Sequence, residues 1–210
     1  MRTSDQRGAG KGISPQFRGD SPDGIGTPEG QSPYGEQSDG KRFESSWACK
    51  KKKIFSLEKD FFFMGIALEE AMIALKAGEV PVGAVVVVNG EIISRAHNMK
   101  ESLNDPTAHA EIIAIKEASS KLRNWRLEDA ILYVTKEPCI MCAGALLNMR
   151  AARLVLGCKD EKGGAVESLY NVLSDRRLNH QIKVTSGMME KECRDILRGF
   201  FKNLRQQNSE

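Results

Sequence analysis

The sequence predicts an α/β domain with three layers, α/β/α, around a mixed five-stranded sheet. Three observations carry this. Apolar residues recur at helical spacing in four segments, β-branched runs of strand length alternate with them, and one tight hairpin signal forces an antiparallel pair into a sheet whose other strands are separated by helices.

The first helix is expected over residues 57–77, where Phe61, Met64, Ala67, Leu68, Ala71, Met72 and Leu75 share a face and Gly78 stands at the capping position. The run at 82–88 then reads as a buried strand, Asn89-Gly90 as a two-residue turn, and 91–94 as the returning strand. Asp105-Pro106 predicts a second helix with Asp105 as cap, its apolar face continued by Ile112, Ile113, Ile115 and Ala118. Residues 130–135 form the third expected strand, and Pro138 opens a third helix through Leu147. Strands at 154–157 and 182–184 and a final helix over 189–205 complete the domain.

Residues 1–53 contrast with this pattern. They hold nine of the 19 glycines and four of the seven prolines, with few large aliphatic side chains, so their burial cannot offset the entropy of ordering them. They are expected to be a disordered extension, leaving 54–210 as the globular domain. The extension has no signal-like apolar stretch and is too acidic for an ordinary transit peptide. Its basic end, Lys50 to Lys53, is a solvated charge run or an attractant for RNA.

The net charge of +3 permits a nucleic-acid partner only through a local basic patch. Of five cysteines, Cys49, Cys158 and Cys193 show no disulfide-like spacing, which fits a reducing, cytoplasmic setting, and no apolar run is long enough for a membrane helix. Cys158 reads as a small buried residue after a strand.

The chemistry concentrates in His109-Ala110-Glu111 and Pro138-Cys139-Ile140-Met141-Cys142. Cysteines three apart at a helix start converge on one ion, and the positive helix end favours their thiolates. His109 supplies a third ligand, and a catalytic zinc needs three with a position left for water. Glu111 is then left over to move protons. This is the known signature of zinc-dependent nucleobase deaminases, with one Zn2+ per subunit. A Cys-x-x-Cys alone also occurs in structural zinc knuckles and redox pairs, but those do not account for an upstream His-Ala-Glu.

Beyond that signature, Glu79-Val80-Pro81-Val82-Gly83-Ala84, His97-Asn98, Asp105 to Glu111, Leu132-Tyr133-Val134-Thr135, Glu137 to Ala145 and Gly157-Cys158-Lys159-Asp160 closely resemble the bacterial tRNA-specific adenosine deaminase family, from about Glu58 to about Arg205. The resemblance implies the cytidine-deaminase-like fold and a homodimer. It also implies conversion of the wobble adenosine (position 34) to inosine in the anticodon stem-loop of an arginine tRNA. Carried over by position, it makes His109, Cys139 and Cys142 zinc ligands, Glu111 the proton shuttle and Asn98 a contact to the flipped nucleoside. Asp160 and Lys162 resemble residues near the RNA, and Phe200-Phe201 resembles a pair close to the loop nucleotides.

From the local sequence, Asn98 equally suits a turn cap, and aromatics placed as Phe200 and Phe201 are on an amphipathic helix more often pack on the core, although Lys202 and Arg205 beside them slightly favour the RNA reading. Deaminases of guanine, of cytosine or of a pterin-like riboflavin precursor share the zinc motif, so the metal chemistry alone does not name the substrate. A non-catalytic zinc-bearing RNA-binding subunit is the other class of reading, against which Glu111 stands.

Overall fold

Asn89 and Gly90 have positive φ of 54° and 84°, the backbone a tight primed turn demands, and they close the hairpin on which the sheet is built. The computed structural model describes residues 46–207, with side chains from residue 57. Its elements run α1 (Ser46–Lys76), β1 (Gly83–Val88), β2 (Glu91–His97), α2 (Ala110–Leu122), β3 (Ala130–Lys136), α3 (Ile140–Met149), β4 (Arg153–Cys158), β5 (Lys183–Thr185) and α4 (Glu190–Gln207), with a single 3-10 turn at Val172–Ser174. The sheet order is β2-β1-β3-β4-β5. β1 is antiparallel to β2 and β3, while β3, β4 and β5 run parallel, so the predicted mixed five-stranded sheet is what forms.

Register assigns the helices to faces. Ala84 pairs with Val134 and Val134 with Leu156, which aligns their neighbours Gly83, Thr135 and Gly157 on the opposite face. A Cβ on Gly83 would lie 2.0 Å from the Ala67 carbonyl oxygen of α1, and one on Gly157 would lie 2.4 Å from Cys193 Sγ of α4. These two glycines therefore let α1 and α4 sit directly on one face. The other face is met by α2, whose Ala114 carbonyl accepts a hydrogen bond from Ser94 Oγ (2.7 Å), and α3 packs beside α2. Between the layers Leu132, Val134, Leu154 and Leu156 are fully buried.

One polar cluster ties the α1 layer to the strands. Asp60, 3% exposed, accepts from Tyr133 Oη (2.7 Å) and from both terminal nitrogens of Arg153 (3.0 and 2.7 Å), and Arg153 also donates to Thr185 Oγ1. Removing one partner leaves the others buried without a counter-charge. Asp60→Ala is expected to lower unfolding free energy by about 3 kcal/mol, measured by urea denaturation.

The boundaries differ from expectation where local chemistry competes with the helix. Asp105 does not cap α2. Its Oδ1 accepts from the Thr107 backbone N (2.8 Å) and Oγ1 (2.7 Å) in a turn of its own, so the helix starts only at Ala110 with His109 as cap residue. Likewise Pro138 and Cys139 remain extended, Pro138 O accepting from Ala165 N, and α3 starts at Ile140. α1 reaches back to Ser46, beyond the expected start at residue 57; no glycine or proline lies between Gly40 and Gly65 to stop the helix. The rest of the predicted extension lies outside the described residues. Among the described residues no helix is long and apolar enough to cross a membrane.

Candidate metal and active site

His109 and Cys139 are the cap residues of α2 and α3, both with extended backbone, and the two helices lie side by side. Two positive helix ends therefore converge where thiolates are needed. Cys139 Sγ lies 3.7 Å from Cys142 Sγ, and each sulfur lies 3.6 Å from His109 Nδ1. Tetrahedral ligation with Zn–S of about 2.3 Å and Zn–N of about 2.0 Å requires S···S of about 3.8 Å and S···N of about 3.5 Å. The triangle thus has the dimensions of a zinc site, and among the described residues it is the one such cluster of potential ligands.

The hydrogen bond from Cys142, followed by that from His109, holds the Cys139 thiol far below the ordinary range, against the effect of burial. Cys142 is pushed up, first by its hydrogen bond with Cys139 and then by burial. His109 is raised by its hydrogen bond with Cys139, which outweighs its burial. Such sharing of protons among three close groups is what a cation would replace.

A cavity of 180 Å³ opens on this triangle, lined by Val80, Val82, Asn98, Lys100, His109, Glu111, Lys136, Glu137, Cys139 and Phe201. Glu111 is 4% exposed, and burial pushes its carboxyl up. The first turn of α2 therefore brings a carboxyl suited to proton transfer into the same cavity as the ligand triangle.

Of the remaining expected residues, Asn98 lines this cavity. Its Nδ2 donates to Glu79 Oε2 (3.1 Å), and Glu79, 1% exposed, also accepts from Ser102 N (2.7 Å) and Oγ (2.8 Å). Although burial would raise it, these bonds from Ser102 and Asn98 lower the Glu79 carboxyl, so an ionised acceptor fixes the Asn98 amide. Asn98 is thus held in the cavity wall by a side-chain partner.

Asp160 and Lys162 are placed in a neighbouring cleft of 910 Å³ with Lys159, Gly163, Arg194, Arg198, Lys202 and Arg205. The cleft shares Lys136 and Phe201 with the smaller cavity. Asp160 pairs with Lys136 (2.6 Å) at this junction. The aromatic at the junction is Phe201, 39% exposed; Phe200 lines neither space and stacks edge-on against Phe201 at 5.3 Å.

Sequence reasoning assigned no role to Glu79, Lys100, Lys136 or Glu137. The available signals were an acid directly before Val80-Pro81-Val82 and another directly before Pro138-Cys139, charges that an apolar strand end tolerates only when partnered. Glu137 is the extreme case. Its Oε1 accepts from the backbone N of Val166 (3.0 Å), Glu167 (2.7 Å) and Ser168 (2.9 Å), and its Oε2 accepts from Asp160 N (3.0 Å) and Ser168 Oγ. Burial alone would raise this carboxyl, but the Ser168 hydroxyl and the backbone donors bring it down to about 2.

Comparison with known proteins agrees with the site. A family model described as MafB19-like deaminase matches residues 58–205. The tRNA-specific adenosine deaminase of Bacillus subtilis (strain 168) is 50% identical over 149 residues, 71% of this chain and 92% of its own length. That of Aquifex aeolicus (strain VF5) is 49% identical over 144 residues, 69% of this chain and 95% of its own. A structure solved in a study of A-to-I editing by tRNA A34 deaminases at the wobble position is 48% identical and superposes with a TM-score of 0.63, covering 65% of this chain and 99% of that one. The guanine deaminase of Nitrosomonas europaea shares the fold more distantly, at 25% identity and a TM-score of 0.59 over 66% of this chain and 82% of its own. With the sheet order, the ligand triangle and identity near one half over nearly the full length of these relatives, the chain belongs to the tRNA-specific adenosine deaminase family, within the cytidine-deaminase-like fold.

Proposed function

We propose that this enzyme hydrolyses the wobble adenosine, position 34, of an arginine tRNA anticodon to inosine, acting in the cytoplasm as a homodimer with one zinc per subunit. The observation that carries the reading is the zinc-sized triangle of His109, Cys139 and Cys142 opening on a cavity that also holds buried Glu111, in a chain half identical to a tRNA-specific adenosine deaminase.

When bound there, zinc supplies water activated for attack at neutral pH. Glu111 takes a proton from that water and passes it to N1 of the purine as the oxygen adds to C6. Glu111 then carries the second proton to the amino group, and the C6–N bond breaks with release of ammonia. One water is consumed and inosine remains, so atoms balance. Val80 and Val82 form apolar walls for the base and Asn98 gives it a fixed polar partner. Phe201, with Phe200 behind it, offers an aromatic surface at the junction with the basic cleft, where Lys162 faces the incoming RNA backbone beside Asp160.

The test is inosine formation in an arginine anticodon stem-loop with adenosine at the wobble position, run beside free adenosine, guanine and cytidine. Turnover confined to the stem-loop, with affinity that falls as salt rises, is the expected result. Turnover of guanine alone would replace this reading with a purine-base deaminase of the kind the Nitrosomonas europaea relative represents.

A further inference from the structure

In the segment between β4 and the 3-10 turn, Val166, Glu167 and Ser168 aim three successive N–H groups at one oxygen of Glu137. An array of this kind is an anion-binding concavity, and here the anion is a side chain of the same protein. Several further contacts join the same two segments. Ala165 N donates to Pro138 O (2.9 Å), Glu137 N to Cys158 O (2.8 Å), and Gly164 forms a β-bridge with Cys139. The fit admits nothing larger at Gly164, where a Cβ would lie 2.3 Å from the Glu137 carboxyl carbon.

We propose that Glu137 is a positioning residue for the deamination, fixing the 160–168 loop against the Cys139 turn so that the wall between the metal cavity and the basic cleft is set before RNA arrives. This rests on the reading of the preceding section. Glu137 stands two residues before a ligand cysteine and lines the metal cavity, while Asp160, Lys162 and Gly163 of the loop it grips line the cleft. The Glu137 carboxylate is the side chain that joins these backbone donors to the metal turn. Without the carboxylate, the three amides would turn to water and carry Lys162 with them. The sheet packing of Leu132, Val134, Leu154 and Leu156 does not depend on this contact, so the role is distinct from support of the core.

The test uses the zinc-loaded full chain with Glu137→Gln, which withdraws one acceptor oxygen, and Ser168→Ala, a milder loss of one donor. Hydrogen exchange at the amides of 166–168 should accelerate in Glu137→Gln, zinc content should match wild type, and KM for the stem-loop should rise about tenfold with kcat changed far less. Lys162→Ala should raise KM in wild type but add little in the Glu137→Gln background, a non-additivity that a general loss of stability does not produce. Ser168→Ala should move KM in the same direction by a smaller factor. Unchanged amide protection, or equal loss of zinc and kcat with KM unmoved in both variants, overturns the proposal. The wild-type assay on the same RNA decides the functional reading separately, and the exchange measurement reads the loop without any turnover.

Discussion

Turnover is expected to fall by at least about a thousandfold when Glu111 is replaced by glutamine, with zinc content and fold unchanged, in single-turnover assays on the stem-loop. The argument is one of roles. Glutamine keeps the size and most of the polarity of the buried side chain, so the cavity around His109, Asn98 and Cys139 retains its shape. It cannot accept a proton from water and return it to the ring. Glu111 is nearly fully buried, and burial already favours its protonated form, which reduces the cost of holding a proton between the two transfers. An effect below about tenfold would show that another group shuttles the proton. Lys100, which lines the same cavity, would then be the candidate. Lost zinc together with lost turnover would instead place Glu111 in support of the ligand triangle.

How much of this was legible in the sequence follows from which interactions are local. Asn89-Gly90 and Gly78 specify backbone that few other residues adopt, so the hairpin and the end of α1 could be read from the chain. The triangle of His109, Cys139 and Cys142 was legible because two of its members lie three residues apart and the third has a glutamate two residues away. Helix starts were less so: an aspartate before a proline suits a cap and a turn alike, and the Thr107 hydroxyl that decides for the turn is a competing local partner. The roles of Glu79 and Glu137 were invisible because their donors come from 19 to 31 positions away along the chain, brought near only by folding. On α4 the sequence shows an aromatic pair, but which ring lines the cavity depends on how the helix is rotated about its buried Cys193 and Leu197, and Phe201 is the one that lines it.

Removing zinc is expected to abolish deamination while leaving the domain folded, and this separates the site from a structural zinc centre. Chelation should reduce turnover below about a thousandth of its value, with recovery on adding zinc, because the water needs its pKa brought near neutrality before Glu111 can take its proton. Cys142→Ala should lose the same activity without recovery. It leaves two of the three members of the triangle, and Cys142 is fully buried. Small zinc domains unfold without metal because ligation supplies their folding energy. Here the sheet buries Val85, Val86, Leu132, Leu154 and Leu156 between two helical layers, and none of these touches the ligand triangle through a bond that zinc makes. The apo protein should therefore keep its far-ultraviolet circular dichroism and a cooperative thermal transition. Its unfolding free energy should fall only by the linkage of metal to the native state, about 3 kcal/mol at a hundredfold excess over the dissociation constant. Unfolding on chelation would mean that the helix starts at Ala110 and Ile140, whose caps His109 and Cys139 make no side-chain capping bond, depend on the metal to hold them.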